Sequence, residues 1–339
     1  MFSVRVHPLL NLLTSLVIVA CGRADGSDPS AVTEAMSPWN RPENLPGASG
    51  PLEFRLGALA QSGGSAHPVW SGDWWPYSRG GVARRPSPYE PSPLEKYDAV
   101  TNGQGRATGW ELEQVRRLGG YTWAGHCNGL AAAGTMTRAP VRGVSYRNVY
   151  FSPDDIRALL VEIWQGGGHL VGGRCDRRSA PMDPAGRFVA PECRDLNAGT
   201  FHVNLGNFLG RFQTALILDI TSLEEVWNYP AVHYQVLERR ALTPHDANRY
   251  VGVSGGRYLF NDDAAAHVYF KTRVTLATGQ VKDYEYLVET DQQDRIVGGE
   301  WVGNSKYDHP DFMWRHTAPR PDNPHIDPRI VGEIHALSL

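Results

Sequence analysis

Apolar residues recur at helical spacing in residues 108–118, where Trp110, Val115 and Leu118 follow a threonine that can cap the run. A second helix is predicted from Cys127 to about Thr137, built on small residues and stopped by Pro140. A third has a stronger start: Ser152 at the cap, Pro153 at the first helical position, and Asp154 and Asp155 in the first turn. It continues through Ile156, Leu159, Leu160 and Ile163 and ends at Gly166-Gly167-Gly168. Beyond residue 200 the pattern shifts toward strands. Residues 200–205 and 214–220 read as β, with residues 206–211 as the turn between them. Alternation returns at 267–276, 283–288 and 295–301, with a turn at Thr278-Gly279-Gln280, and predicts an antiparallel sheet. Helices first and a sheet afterwards predict one α+β domain. No internal repeat or heptad pattern is visible.

Composition adds detail to this outline. The chain has 339 residues, enough for one large or two ordinary domains. Its 36 glycines, 24 prolines, 10 tryptophans and 14 tyrosines point to a loop-rich protein and not to a helical bundle. Residues 66–93 concentrate Trp, Pro, Arg and Gly and predict an irregular ordered layer, suited equally to lining a cleft and to covering the core. The net charge of −3 gives no basic field, so nucleic acid is not an expected partner.

The N-terminus carries a targeting pattern. Arg5 and His7 precede an apolar run from Leu9 to Ala20 that is short for a membrane span. It ends Ile18-Val19-Ala20-Cys21, which resembles the lipobox of bacterial lipoproteins, where the cysteine is acylated. Gly22 follows in place of Asp, so the resemblance carries no inner-membrane retention signal. The expectation is a signal peptide over 1–21, a flexible Pro/Gly-rich tether over 22–55 and a catalytic domain over 56–339. The protein is expected to be exported as an outer-membrane or cell-surface lipoprotein, touching the membrane by its lipid alone; the alternative is an ordinary secreted protein. Either destination lets disulfides persist.

The four cysteines then sort themselves. Cys21 is the expected lipid anchor. Cys175 and Cys193 bracket a Pro-, Arg- and Asp-rich loop poor in core-forming residues, and a bridge there would contribute roughly 3 kcal/mol. Cys127 is left over, as a candidate reactive thiol. It lies in Trp123-Ala124-Gly125-His126-Cys127-Asn128-Gly129, a tight turn leading into a helix. That position is expected to expose the sulfur at the positive end of the helix dipole and to lower its pKa. The other reading is a buried, inert cysteine.

A cysteine nucleophile needs a base, and the base an orienting group. His202 and Asp219 fall in the two consecutive β-like runs, and a hairpin would set them on neighbouring strands facing the Cys127 helix. The other readings are a hydrogen-bonded core histidine for His202 and a turn or cap residue for Asp219. His233, His267 and His309 are further candidate bases, His309 foremost because Asp308 and Asp311 flank it.

From about residue 70 to 316 the chain resembles the transglutaminase-elicitor family of oomycetes and bacteria. The resemblance is carried by Asp73-Trp74-Trp75-Pro76, Ser92-Pro93-Leu94-Glu95-Lys96-Tyr97, Trp123 to Ala133, Gly172-Gly173-Arg174-Cys175, Glu192-Cys193-Arg194-Asp195 with Asn197, and Phe201-His202-Val203. Gly299-Glu300-Trp301 and His309-Pro310-Asp311-Phe312-Met313-Trp314 also match. The most specific stretch runs from Glu225-Val226-Trp227-Asn228-Tyr229-Pro230 to Val236 and resembles the surface peptide that plants recognise in the oomycete proteins. Leu130 departs from the family, which has Trp three residues after the cysteine; Tyr229 and Ala231-Val232-His233 depart within the recognised peptide.

The resemblance implies a papain/transglutaminase-like fold, with N-terminal helices carrying the cysteine packed on an antiparallel sheet. It also implies protein-glutamine γ-glutamyltransferase activity. Cys127 would form the thioester, His202 would act as base and acid, and Asp219 would orient it. Trp123, His126, Asn128 and Trp75 would belong to the oxyanion hole and substrate cleft. The implied partners are proteins that supply a glutamine and a lysine or other amine. Some eukaryotic members look calcium-dependent; with no EF-hand spacing here, neither cofactor nor metal ligand is assigned. The competing readings are a cysteine peptidase or amidase on the same scaffold, and a surface-displayed binding lipoprotein with a silent site.

Overall fold

The computed structural model describes residues 38–183, 188–190, 193–254, 258 and 260–339. The signal segment, Cys21 and residues 22–37 of the expected tether lie outside the described residues. Eight strands form one sheet: β1 (Ser62–Gly64), β4 (His169–Gly172), β5 (Leu216–Asp219), β6 (Asn228–Leu242), β7 (Ala266–Leu276), β8 (Val281–Thr290), β9 (Ile296–Trp301) and β10 (Phe312–Arg315). The order is β4-β10-β5-β6-β7-β8-β9, with β1 also on β6, and every pairing is antiparallel. A separate hairpin joins β2 (Val144–Tyr146) and β3 (Val149–Phe151). The helices are α1 (Pro93–Thr101), α2 (Arg106–Leu118), α3 (Cys127–Met136), α4 (Pro153–Ile163), α5 (Ala198–Asn204), α6 (Pro244–Val251) and α7 (Pro328–Ser338). Among the described residues, no helix is long and apolar enough to cross a membrane.

Alternation along β5 assigns the two faces of the sheet. Leu216 and Leu218 enter a core with Phe201, Phe208, Phe270 and Tyr286, under α5. Ile217 enters the other, with Ala131–Ala133 of α3 and Leu159 and Leu160 of α4. Period-two side-chain alternation places Asp219 on the Ile217 side. Helix α4 starts as its sequence predicts. Ser152 Oγ accepts the Asp155 N–H at 3.2 Å, Asp155 Oδ2 accepts the Ser152 N–H at 2.7 Å, and Pro153 holds the first helical position. Such a cap contributes about 1 kcal/mol. Helix α3 crosses α4 closely at Gly129, where a Cβ would stand 2.2 Å from the Val161 carbonyl oxygen. A larger residue there would force α3 off its support.

Two expectations need correction. The strand read over 200–205 is helix α5, continued by a π-helical turn over Leu205–Arg211. Every residue from Ala198 to Leu209 is buried, so the run carries no amphipathic alternation to separate helix from strand. The helix is nucleated by Asn197, whose side chain accepts the Gly199 and Thr200 N–H groups. Its first turn also fits only because Gly199 lies against the Gly298 backbone of β9. Residues 38–55 of the expected tether pack against the domain instead. Asn40 is buried, donating to the Asp195 carbonyl and accepting from the Asn197 N–H, and Leu45 enters the α5-side core. The bridge between Cys175 and Cys193 is present, with both residues fully buried beside Phe188.

Candidate active site

Cys127 is the first residue of α3, where the leading N–H groups have no intrahelical acceptor and point at incoming charge. It is a free cysteine, 8 % exposed. Its Sγ lies 3.5 Å from both the Val226 carbonyl oxygen and Asn128 Oδ1. Burial pushes the thiol up to about 11, and the charge of Asp219 adds to this; hydrogen bonds from Asn228 and the Asn128 backbone pull it down without prevailing. The exposed, low-pKa sulfur expected from the helix-start position is therefore not what the closed site holds. The dipole effect is worth at most ~2 kcal/mol, less than the burial it opposes.

Asp219 ends β5 directly opposite Asn228 on β6. Its Oδ1 accepts the Trp227 N–H at 2.8 Å and the Thr221 hydroxyl at 3.0 Å; its Oδ2 is buried without a hydrogen-bond partner. Burial pushes this carboxyl up to about 7, against the hydrogen bonds from Trp227 and Thr221. Asn228 is itself fixed. Its Nδ2 donates to Asn128 Oδ1 at 2.6 Å, and its Oδ1 accepts the Trp314 indole N–H at 2.5 Å. A thiol and a pre-oriented amide thus meet at one end of the β5–β6 pair, within the electrostatic reach of a carboxyl poised near neutrality.

His202 is not among them. It lies on α5, across the sheet from α3, with Nδ1 2.9 Å from the Tyr286 hydroxyl and its ring 4.4 Å from that of Phe270. Burial pushes its imidazole down to about 3, with Arg239 adding to the shift. It is a neutral core histidine, so its assignment as the base fails. The error follows from reading α5 as a strand paired with β5. His309 does not replace it: its Nδ1–H donates to the Ser305 carbonyl at 2.8 Å and its ring stacks on Trp301. Among the described residues, no imidazole hydrogen-bonds to Cys127.

The residues expected around the nucleophile divide. Asn128 touches it. Trp123 lines a groove of about 610 Å³ together with Tyr121, Thr221, Glu225, Tyr307 and Asp308; Cys127 and Val226 do not line it. Trp75 packs partly buried against the α3–α4 core, with its backbone at φ +43°. His126 turns away from the groove, into the interior, and contacts Glu111 and Glu162. Sequence analysis assigns no role to Asn228, Trp314 or Trp227, and to Trp74 only a place in the 66–93 layer. The last two meet edge to face at 5.3 Å, and the Trp74 carbonyl accepts the His126 N–H. Trp227, Asn228 and Trp314 lie inside the quoted motifs, so their signal was an unexplained polar or aromatic position within a specific stretch.

Comparison with known proteins agrees with this architecture. The family described as transglutaminase elicitor matches residues 116–328, more than half of the chain. The crystal structure of the GP42 transglutaminase from Phytophthora sojae is similar in fold, with a TM-score of 0.68 over 85 % of this chain and 94 % of that one, at 23 % identity. No curated protein sequence matches the chain. The matched segment contains Cys127, Asp219, Asn228 and Trp314 together with the helices and strands that position them, and the chain belongs to the transglutaminase elicitor family.

Proposed function

We propose that the protein is a protein-glutamine γ-glutamyltransferase in which Cys127 is the nucleophile and Asp219 the proton acceptor. The observation that carries this reading is the convergence of a helix-start thiol with a buried carboxyl held near neutrality and bearing a free oxygen. In the reaction, the thiol proton passes to Asp219 as Sγ attacks the glutamine carboxamide carbon. The developing oxyanion takes hydrogen bonds from the first N–H groups of α3. The proton returns to the departing ammonia, leaving a thioester. A lysine or other primary amine attacks that carbon, gives its proton to Asp219, and expels Sγ as the isopeptide bond forms. Asn228 orients the sulfur through its backbone and side-chain amides.

The thiol donates to the Val226 carbonyl, so a carboxamide reaches it only if the segment from Thr221 to Trp227 moves aside. The groove beside Trp123 includes Glu225, the chain neighbour of Val226, and would open toward the thiol once that segment moves. Trp74 and Trp227 stand where they would exclude water, which favours amine over hydrolysis. The buried disulfide supports an exported protein. Its partners are proteins presenting glutamine and lysine; the lipid anchor at Cys21 belongs to the same proposal.

The test is incorporation of a fluorescent primary amine into a glutamine-rich protein by the full chain. Cys127-dependent incorporation, lost in Cys127→Ala, is the expected result. Cys127-dependent ammonia release or peptide cleavage without incorporation would move the reading to an amidase or peptidase. Inertness in all three assays would favour the silent binding protein.

A further inference from the structure

We propose that Glu111, His126 and Glu162 form a structural site for one divalent transition ion of the zinc or manganese type, beneath the turn that presents Cys127. Glu111 comes from α2, His126 from the residue before α3, and Glu162 from the last turn of α4; all three are buried. One potential ligand atom from each lies within 4.8 Å of the others. His126 Nε2 stands 2.8 Å from Glu111 Oε1 and 3.7 Å from Glu162 Oε1. Ligands held tetrahedrally at ~2.0–2.1 Å from a metal lie ~3.3–3.4 Å from one another, so these two distances bracket the requirement.

The second observation is unspent bonding capacity aimed into the cluster. Glu162 Oε1 and Glu111 Oε2 are both buried without a hydrogen-bond partner. A protonated imidazole donates from Nε2 to Glu111, and at 3.7 Å Glu162 is beyond hydrogen-bond reach. One cation between the three satisfies Glu162 Oε1 and offsets the buried charge together. The donors are held in place: the Val82 N–H donates to Glu111 Oε1 at 2.9 Å, and the Tyr77 ring packs edge-on against the imidazole. With the metal on Nε2, the ring proton resides on Nδ1. Asp322 acts electrostatically on both His126 and Glu162 and supplies an outer anion.

One imidazole nitrogen with two carboxylates suits zinc or manganese. Calcium takes 6–8 oxygen ligands, and this donor set does not provide them. The site lies outside the proposed reaction path, and its consequence is mechanical: it ties α2 and α4 to the turn at residue 126. The inference stands or falls independently of the transferase reading.

The full chain, produced with its disulfide in medium containing zinc and manganese, is desalted and its metal content measured by plasma mass spectrometry. The expected result is about one equivalent of either metal per chain, lost in Glu162→Gln. Wild-type chain refolded with a chelator should show a lower Tm that Zn2+ or Mn2+ restores. Equal metal content in wild type and Glu162→Gln would overturn the proposal. So would a metal-free wild type that takes up neither ion on titration. If Glu162→Gln does not fold, wild type refolded with Co2+ replaces it: visible d–d bands from a low-coordinate nitrogen/oxygen site are expected, and the spectrum of aqueous cobalt alone would overturn the site.

Discussion

His126 and His202 are both sealed from solvent, yet their surroundings drive them in opposite directions. Burial disfavours the imidazolium in each. At His126 the charges of Glu111 and Glu162 outweigh that effect and push the metal-free group up to about 9. At His202 the partners are a tyrosine hydroxyl and a phenylalanine ring, no carboxylate opposes burial, and the group falls to about 3. The two lie on opposite sides of one sheet. The His202 side is packed mainly with aromatic and aliphatic groups, and its unpartnered polar atoms, Asn204 Oδ1 and the Tyr284 hydroxyl, include no carboxylate near His202. The Cys127 side keeps polar atoms with spare capacity: Asp219 Oδ2, Glu162 Oε1 and Glu111 Oε2. A histidine close in sequence to a nucleophile, or in a β-like run downstream of it, says little about chemistry; what faces the ring decides.

The strongest way to break this comparison is on the polar side. Asp219→Asn keeps the shape and the Trp227 contact but cannot accept the thiol proton. Amine incorporation should fall ~10²–10⁴-fold, and the acid limb of the wild-type rate profile, expected near pH 7 where Asp219 protonates, should disappear. A variant that retains wild-type rate and pH profile would remove Asp219 from the reaction. Next is His126→Leu, which strands two buried carboxylates. A loss of several kcal/mol is expected, read as a large drop in Tm, with partial recovery when Glu162→Gln is added. An unchanged Tm would show that the carboxylates do not depend on the ring.

Smaller effects sharpen the contrast. Trp314→Phe removes one hydrogen bond to the amide of Asn228, and a rate loss of roughly tenfold, about 1–1.5 kcal/mol, should follow without loss of fold. The smallest change in rate belongs to His202→Leu, with amine incorporation expected within about twofold of wild type, since the core side touches no reacting group. Its signature is in stability. The folded His202 resists protonation down to about pH 3, whereas the unfolded ring protonates near 6.5. Its contribution is complete above about 6.5 and is lost as pH falls through that window. His202→Leu should therefore flatten the acid limb of the Tm–pH curve. A collapse of activity in this variant, with its fold intact, would restore His202 to the mechanism.

Legibility in the sequence followed the strength of local signals. The capping box at Ser152 declares α4 unaided, because a cap, a proline and two acids agree within four residues. The β7–β8 hairpin is equally plain, with alternation on both sides of its turn. Cys127 and Asp219 stand out in the sequence by chemistry: a cysteine left over once Cys175 and Cys193 are paired, and an acid closing an apolar strand. The failure at His202 has a definite cause, since residues 198–209 are buried on all sides and burial from every direction erases the period that separates helix from strand. Asn228 and Trp314 were unreadable as a pair because their meeting depends on β5 lying between β6 and β10. The ionic cluster at His126 was hidden for a similar reason: its carboxylates arrive from two helices that meet only in the folded chain.

The hydrogen bond from Cys127 to the Val226 carbonyl bears on how long the protein lasts before it acts. Under the proposed function the protein would wait among oxidants after export, where a thiolate left open to them is consumed by peroxide or captured as a mixed disulfide. A sulfur that is 8 % exposed and protonated to about pH 11 reacts with neither at an appreciable rate. On the proposed function the segment from Thr221 to Trp227 would thereby serve as storage packaging, keeping the reagent fresh until a glutamine side chain displaced it.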